Sequence, residues 1–503
     1  MARPSVTLAL ALMAAASTTH AAAPTQEQFL TELRRLAERV EKLEQRNAVL
    51  QNMITPGAEA HGSALTSRVE ALEQLNRDIN ASMVSGRISA NEPELITRLK
   101  AVESASLSYQ KQARKIESLD EISAEANMLA VAQRINRNGR TSNTPENLLN
   151  WRGDVSVALP GGSMGNANGQ FFAHVRLGQG EGFTLQRPAY SSTLNASNFQ
   201  LDNPDSQRNT ANSTVLLAQA WYQLNVPLPL GGFAVRSKEH IEINVGKMDP
   251  FVFFDQNSFA DNEAEKFLNS VFVHNPMLDA GGAMGVDDYG FTPGLRVAYH
   301  SDQSSPEWWR TSVGIFGAGS GATFGKSFNQ PMLIGQLEFG RKFFGGLDGT
   351  YRVYAWRNSQ YEGFDSAIGT TTGWGMSVDQ RVDSDVAFFA RYGQSTSGKT
   401  SFDRTLTVGA EITGNAWGRG ADSVGLAWGW LRSGNNFRRE TAADPTLAGY
   451  AASGVEQIAE LYYRGYLNPR LSLTPDLQFI HRAGANGDAD LVTAAGVRAL
   501  YAF

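Results

Sequence analysis

Two hydrophobic periods divide the chain. Apolar side chains recur every three or four residues through Phe29, Leu33, Leu36, Val40, Leu43, Asn47, Leu50 and Ile54, then through Leu65, Val69, Leu72, Asn76, Ile79 and Met83. Alternating steps of four and three make the heptad seam of a coiled coil, whose a and d side chains insert between partner helices. In both seams an Asn takes an a position, where it costs stability and selects register by pairing with a copy of itself. An antiparallel hairpin folded on itself is the alternative; a symmetric seam satisfies the two Asn side chains more readily, which favours self-association. Pro56-Gly57 separates the seams, and Pro93 opens a third expected helix carrying Leu95, Leu99, Val102, Ile116, Leu119 and Ile122.

From Trp151 the period falls to two. Phe171, Ala173, Val175 and Leu177 alternate with Phe172, His174 and Arg176; Ile241, Ile243 and Val245 with Glu242, Asn244 and Gly246; Leu295, Val297 and Tyr299 with Arg296, Ala298 and His300. Tyr351, Val353 and Ala355 likewise face away from Arg352, Tyr354 and Trp356, and Phe388 and Ala390 from Phe389 and Arg391. Such strands have one apolar and one polar face. A soluble sandwich hides the apolar faces between two sheets; a transmembrane barrel turns them to lipid and encloses water with the polar ones. Charge on the polar faces suits the barrel, because a dry interior penalises it. Aromatic clusters at Trp308-Trp309, Trp428 with Trp430, and Tyr462-Tyr463 fit a membrane interface. The last strand, Val497 to Phe503, ends on an aromatic with Tyr501 two residues earlier, and resembles the insertion signal of bacterial outer-membrane barrels.

Composition sharpens this division. Of 49 Gly only four precede Asn150, and of the Phe, Trp and Tyr only Phe29 and Tyr109 do. The first 150 residues are charge-neutral, so the net −6 belongs to the remainder, and no basic region suits nucleic acid. The absence of cysteine excludes disulfides, thiolate metal sites and a cysteine nucleophile. Arg3, the apolar run Val6–Ala16 and the small residues through Ala23 read as a signal peptide over residues 1–22, cleaved after Ala21 or Ala22. A helical coiled-coil region is then expected over 23–140 and a barrel over 141–503. At about 22 residues per strand with its turn, the residues from Trp151 make about 16 antiparallel strands. Loops are expected at Ser191–Thr214, Ala260–Val286, Asn358–Thr372 and Gly434–Gly454.

The segment Gly246-Lys-Met-Asp-Pro-Phe-Val-Phe-Phe-Asp255, continuing through Asp261 to Phe267-Leu-Asn269, resembles a signature of the carbohydrate-selective outer-membrane porins. So do Glu460-Leu-Tyr-Tyr463, Leu471-Ser-Leu-Thr-Pro-Asp-Leu-Gln478 and the strand containing Gly496, Val497 and Arg498. The resemblance implies a sixteen-stranded porin of the bacterial outer membrane through which sugars diffuse past a charged and aromatic constriction, and the coiled-coil stalk is expected to fix a trimer. The coiled-coil extension departs from the usual pattern and implies a periplasmic region that reaches the cell wall peptidoglycan. Lys247-Met248 also departs from it, and leaves the sugar preference open.

Candidate solute contacts are the polar-face residues Arg176, Glu242, Arg296, Glu338, Arg352, Arg391, Glu460, Arg464 and Arg498, with Tyr354 and Trp356 as stacking platforms. Guanidinium forks donate to hydroxyls, carboxylates accept from them, and rings of charge discriminate solutes in wide pores. The competing role for each is to pair across the wall and stiffen it. No enzyme, cofactor or metal is expected: Ser320 replaces the first Gly of a phosphate-binding pattern ending at Lys326-Ser327, Gly487-Asp-Ala-Asp lacks the later Glu of a calcium loop, and H-E-x-x-H does not occur. The alternatives are a general sieve, a tether between outer membrane and cell wall, and a lipase built on His174, His240 or His300.

Overall fold

The computed structural model describes residues 122–137, 145–180, 193–197, 213–229, 237–279, 290–318 and 331–503, with the single positions 183, 185 and 329. The signal peptide, both heptad seams and the Gly-rich stretch ending at Lys326-Ser327 lie outside them. Among the described residues no helix is long and apolar enough to cross a membrane.

Sixteen strands are described. The first eight are β1 (Ser123–Ile135), β2 (Glu146–Met164), β3 (Ala167–Gln179), β4 (Thr214–Leu228), β5 (Glu239–Met248), β6 (Thr292–His300), β7 (Trp308–Phe316) and β8 (Met332–Phe343). The rest are β9 (Leu347–Glu362), β10 (Ile368–Arg381), β11 (Val386–Ser397), β12 (Phe402–Gly414), β13 (Arg419–Ser433), β14 (Val455–Asn468), β15 (Leu471–His481) and β16 (Val492–Ala502). Each pairs antiparallel with its neighbours in sequence, and β1 pairs with β16 from Asn127↔Ala502 to Ile135↔Ala494, so the barrel closes. Closure is what hydrocarbon requires, since an unpaired edge has no water to bond there.

The barrel starts earlier than the sequence pattern indicates. β1 lies inside the span 23–140 read as helical, so the barrel takes in residues that the sequence reading gave to that span. The alternation of β1 is inverted: Leu129, Val131 and Ile135 face inward and are buried, whereas Ala130 and Ala132 stand on the outer face. A greasy-out rule therefore misses it. Leu129 and Val131 pack on Leu268, a residue that reaches them from inside the barrel.

Elsewhere the expected parity holds. Leu295 and Val297 are 36% and 42% exposed while Arg296 between them is 1% exposed, and Val313, Leu337, Val353, Leu461 and Val497 share the outer face. These apolar side chains meet lipid, where a lysine or arginine at mid-depth costs about 2–4 kcal/mol. The aromatic clusters divide between faces. Trp309 pairs outward with Tyr299 at 4.8 Å, and Trp428 is outward, but Trp308 covers Gly340 on the inner side. Tyr462 is a correction: it is buried inside the barrel, its ring lying where a Cβ on Gly425 would stand, and its hydroxyl donates to Glu411 at 2.7 Å.

Connections are short at one barrel end, as at Gly165-Asn166 and Pro469-Arg470, and long at the other. By the rule that long loops face outward, the short turns mark the end expected to face the periplasm. Asn358–Thr372, read as a loop, is mostly hairpin, with β9 running to Glu362 and β10 starting at Ile368. The β-branched run Thr370-Thr371-Thr372 explains why. Gly434–Gly454 carries a helix, α1 (Asn435–Ala443). In the connection between β5 and β6, the described residues 249–279 fold into the barrel.

Candidate functional site

The connection after β5 turns inward at once. Asp249 accepts from the Phe251 amide at 2.9 Å, and Pro250 opens a single turn, so the chain leaves the wall in a fixed direction. Phe254, Phe267, Phe272, Met277 and Leu278 are then buried against inward wall residues that include Phe316, Tyr354, Phe389, Ile458 and Tyr462. Part of the lumen is therefore a packed apolar core, formed where this loop meets the wall.

Buried backbone needs partners, and charged wall residues supply them. Arg391 donates to the Phe272 carbonyl at 2.6 Å and to the Asp255 carbonyl at 3.1 Å, and its Nε lies 3.2 Å from the Asp255 carboxylate. That carboxylate also accepts from the Tyr354 hydroxyl and the Asn275 amide, each at 2.6 Å. Asp255 has φ 56°, a left-handed conformation that these contacts hold in place. Glu460 accepts from the amides of Leu268 and Asn269, the latter at 3.0 Å, and the Asn269 side chain donates to Gln478 at 3.0 Å. Arg498 donates to the Glu263 and Lys266 carbonyls, Arg464 pairs with Glu265 at 3.0 Å, Lys266 pairs with Glu411, and Arg152 of β2 pairs with Glu263 at 2.8 Å. The shorter Thr193–Ser197 segment lies against the same loop, its Ala196 amide donating to the Leu268 carbonyl at 2.7 Å.

Burial pushes the Glu263 carboxyl up, but the Arg152 and Arg176 guanidiniums outweigh it and hold it below its ordinary value. Burial lowers the Lys266 ammonium against the pull of Glu411, and raises the Asp261 carboxyl against Arg391.

A different pattern occupies the wall from β5 to β10. Arg296 donates to Glu242, to Asn244 at 2.8 Å and to Ser312 at 3.1 Å, and its guanidinium lies 4.9 Å from the Phe253 ring centre. Glu338 pairs with Arg310 at 2.5 Å and Arg352 at 3.4 Å, and Arg352 continues to Asp379 at 2.6 Å. On β2 and β3, Asp154 gathers Arg152, His174 and Arg176 within 2.8 Å, and Arg176 and Lys247 flank the Phe291 ring at 5.3 and 5.9 Å. Trp221 and Phe172 stack at 4.7 Å.

All eleven sequence candidates are thus on the inner face, in two settings. Arg176, Glu242, Arg296, Glu338 and Arg352 belong to side-by-side charge ladders. Arg391, Glu460, Arg464 and Arg498 hold the inward loop. Tyr354 and Trp356 are 2% and 5% exposed, so neither offers an open ring face; the Trp356 ring fills the space above Gly373. Sequence reasoning passed over Arg152, Asp154, Arg310, Asp379 and Glu411, although each has the inner parity of its strand. It also passed over Asp255 and Glu263, which no strand periodicity reveals.

These features match known proteins. A structure of Pseudomonas putida OprB at high pH is similar over 78% of this chain and 97% of its own, with TM-score 0.59 and 16% identity. The outer membrane channel DcaP of Acinetobacter baumannii is similar over 76% of this chain and 97% of its own, with TM-score 0.46 and 12% identity. No curated protein gives a significant sequence match. The family described as carbohydrate-selective porin, OprB family, matches residues 170–503. A closed sixteen-strand barrel, narrowed by a loop that its own wall charges hold in place, is the frame in which that match falls, and the chain belongs to this porin family of the bacterial outer membrane.

Proposed function

We propose that the channel passes small hydrophilic solutes, sugars foremost, by diffusion along the charge ladders. The observation that carries this reading is the pairing of guanidiniums with aromatic rings beside the inward loop: Arg296 at Phe253, and Arg176 with Lys247 at Phe291. Guanidinium forks suit the hydroxyls of a sugar, and the buried Phe253 and Phe291 rings hold the cations beside them in place. Family membership supports the same solute class. Arg176, Glu242, Arg296, Glu338 and Arg352 are proposed to set the charge pattern along the solute path; Arg391, Glu460, Arg464, Arg498 and Tyr354 act through the loop, and Trp356 packs the wall at Gly373.

The chain is further proposed to assemble as a trimer in outer-membrane lipid. That β1 starts at the short-turn end supports a periplasmic place for the expected helical region, with peptidoglycan as its proposed partner. Liposome swelling with neutral sugars, amino acids and organic acids of matched size tests the solute. Faster swelling with sugars is expected; equal rates for all three would leave a general sieve, and no swelling would end the channel reading. Envelope detachment after deleting residues 25–120, with uptake unchanged, would identify a tether.

A further inference from the structure

Strand pairing brings together a set of donor atoms that sequence spacing keeps apart. His240 and Glu242 lie two residues apart on β5 and share its inner face, and the register places His300 of β6 opposite His240. The two imidazoles stack with centroids 4.3 Å apart and planes 15° from parallel. Nε2 of His300, a residue 6% exposed, has no hydrogen-bond partner and lies 3.7 Å from Oε2 of Glu242. The other oxygen, Oε1, is held by Arg296, so Oε2 stays directed at the imidazole. One donor atom from each of His240, Glu242 and His300 lies within 4.8 Å of the other two.

A buried ring nitrogen without a partner is costly, and here it faces a carboxylate oxygen and a second imidazole. We propose that His240, Glu242 and His300 form a binding site for a divalent transition metal of the zinc class, on the inner wall near the short-turn end of the barrel. Two imidazoles and one carboxylate, with a fourth position left to water, are a donor set such metals accept. Bonds of about 2.0–2.2 Å require the donors to close to roughly 3.3 Å from one another. Arg296, itself fixed by Asn244 and Ser312, orients the carboxylate from behind. Its charge and that of Arg310 oppose a dication, and Glu338, paired to Arg310, offsets part of this. The site is independent of which solute the channel passes.

The test titrates Zn²⁺ into the full-length chain folded in detergent, by calorimetry, and records X-ray absorption of the loaded protein. One site per barrel with two imidazoles around the metal is expected. His240→Gln and His300→Gln should each weaken it by at least the roughly ten- to hundredfold that loss of even an outer partner costs. His481→Gln, at an exposed position at the end of β15, should leave it unchanged. Affinities equal to wild type in both variants would overturn the proposal. If those variants fail to form heat-modifiable barrels, absorption of the wild type decides alone: fewer than two imidazoles around zinc rejects the site.

Discussion

The wall from β11 to β16 and the wall from β5 to β10 carry the same kinds of charged side chain on the same inner face, yet they use them differently. Along β11 to β16, Arg391, Glu460 and Arg498 spend their hydrogen bonds on backbone groups of the inward loop. Along β5 to β10, Arg296, Arg310 and Arg352 bond carboxylates of neighbouring strands. Charge on the lumen parity is therefore not one functional class. Where the loop backbone meets it, it acts as a substitute for water on buried amides and carbonyls; where carboxylates of neighbouring strands meet it, it forms ladders along the wall.

Replacing Arg391 breaks this division most severely. Arg391→Met strips three contacts from the loop and leaves the Asp255 carboxylate buried without its cation, at a cost of about 3–5 kcal/mol to loop docking. Hydrogen exchange across residues 250–279 should rise, and single-channel currents should become larger and noisier. A quiet channel with full loop protection would mean that the apolar contacts alone hold the loop. Glu460→Ala removes the acceptor of two buried amides, at about 1–3 kcal/mol each, with exchange concentrated near Leu268 and Asn269. Glu460→Gln retains an acceptor oxygen and should lie between that variant and wild type.

The ladder should respond in the opposite sense. Arg296→Met removes a lumen cation, so the reversal potential in a salt gradient should move toward cation preference while loop exchange stays as in wild type. A rise in loop exchange would merge the two walls into one structural unit. The smallest effect concerns acid. Glu263 is held below its ordinary value of 4.5, so the stability it lends the loop is present above that value and lost as pH falls through its depressed folded value. Loop exchange should therefore increase below pH 4.5, and Arg152→Gln should flatten that dependence.

Much of this architecture was legible along the chain. The alternation of Leu295, Arg296 and Val297 gave both the strand and its inner face, because lipid on one side and water on the other impose a period of two on each strand separately. The same parity gives Arg296, Glu338 and Arg352 the inner face, on which the structure buries them. It failed at β1, where apolar Leu129 and Val131 point inward because Leu268 packs against them there. It also failed for Tyr462, whose aromatic character suits an interface and whose neighbour Gly425 instead makes room for it inside.

The amino-acid sequence by itself determined the barrel class, the approximate strand number and, apart from β1 and Tyr462, which side chains face the lumen, since each of these follows from local alternation read one strand at a time. Only the tertiary structure decided which of those side chains stay with the pore and which hold the loop. That choice depends on where residues 249–279 travel after leaving β5. Their path is set by contacts such as Arg391 with Phe272 and Glu460 with Asn269, made between residues more than a hundred positions apart, and no short-range period encodes such pairings.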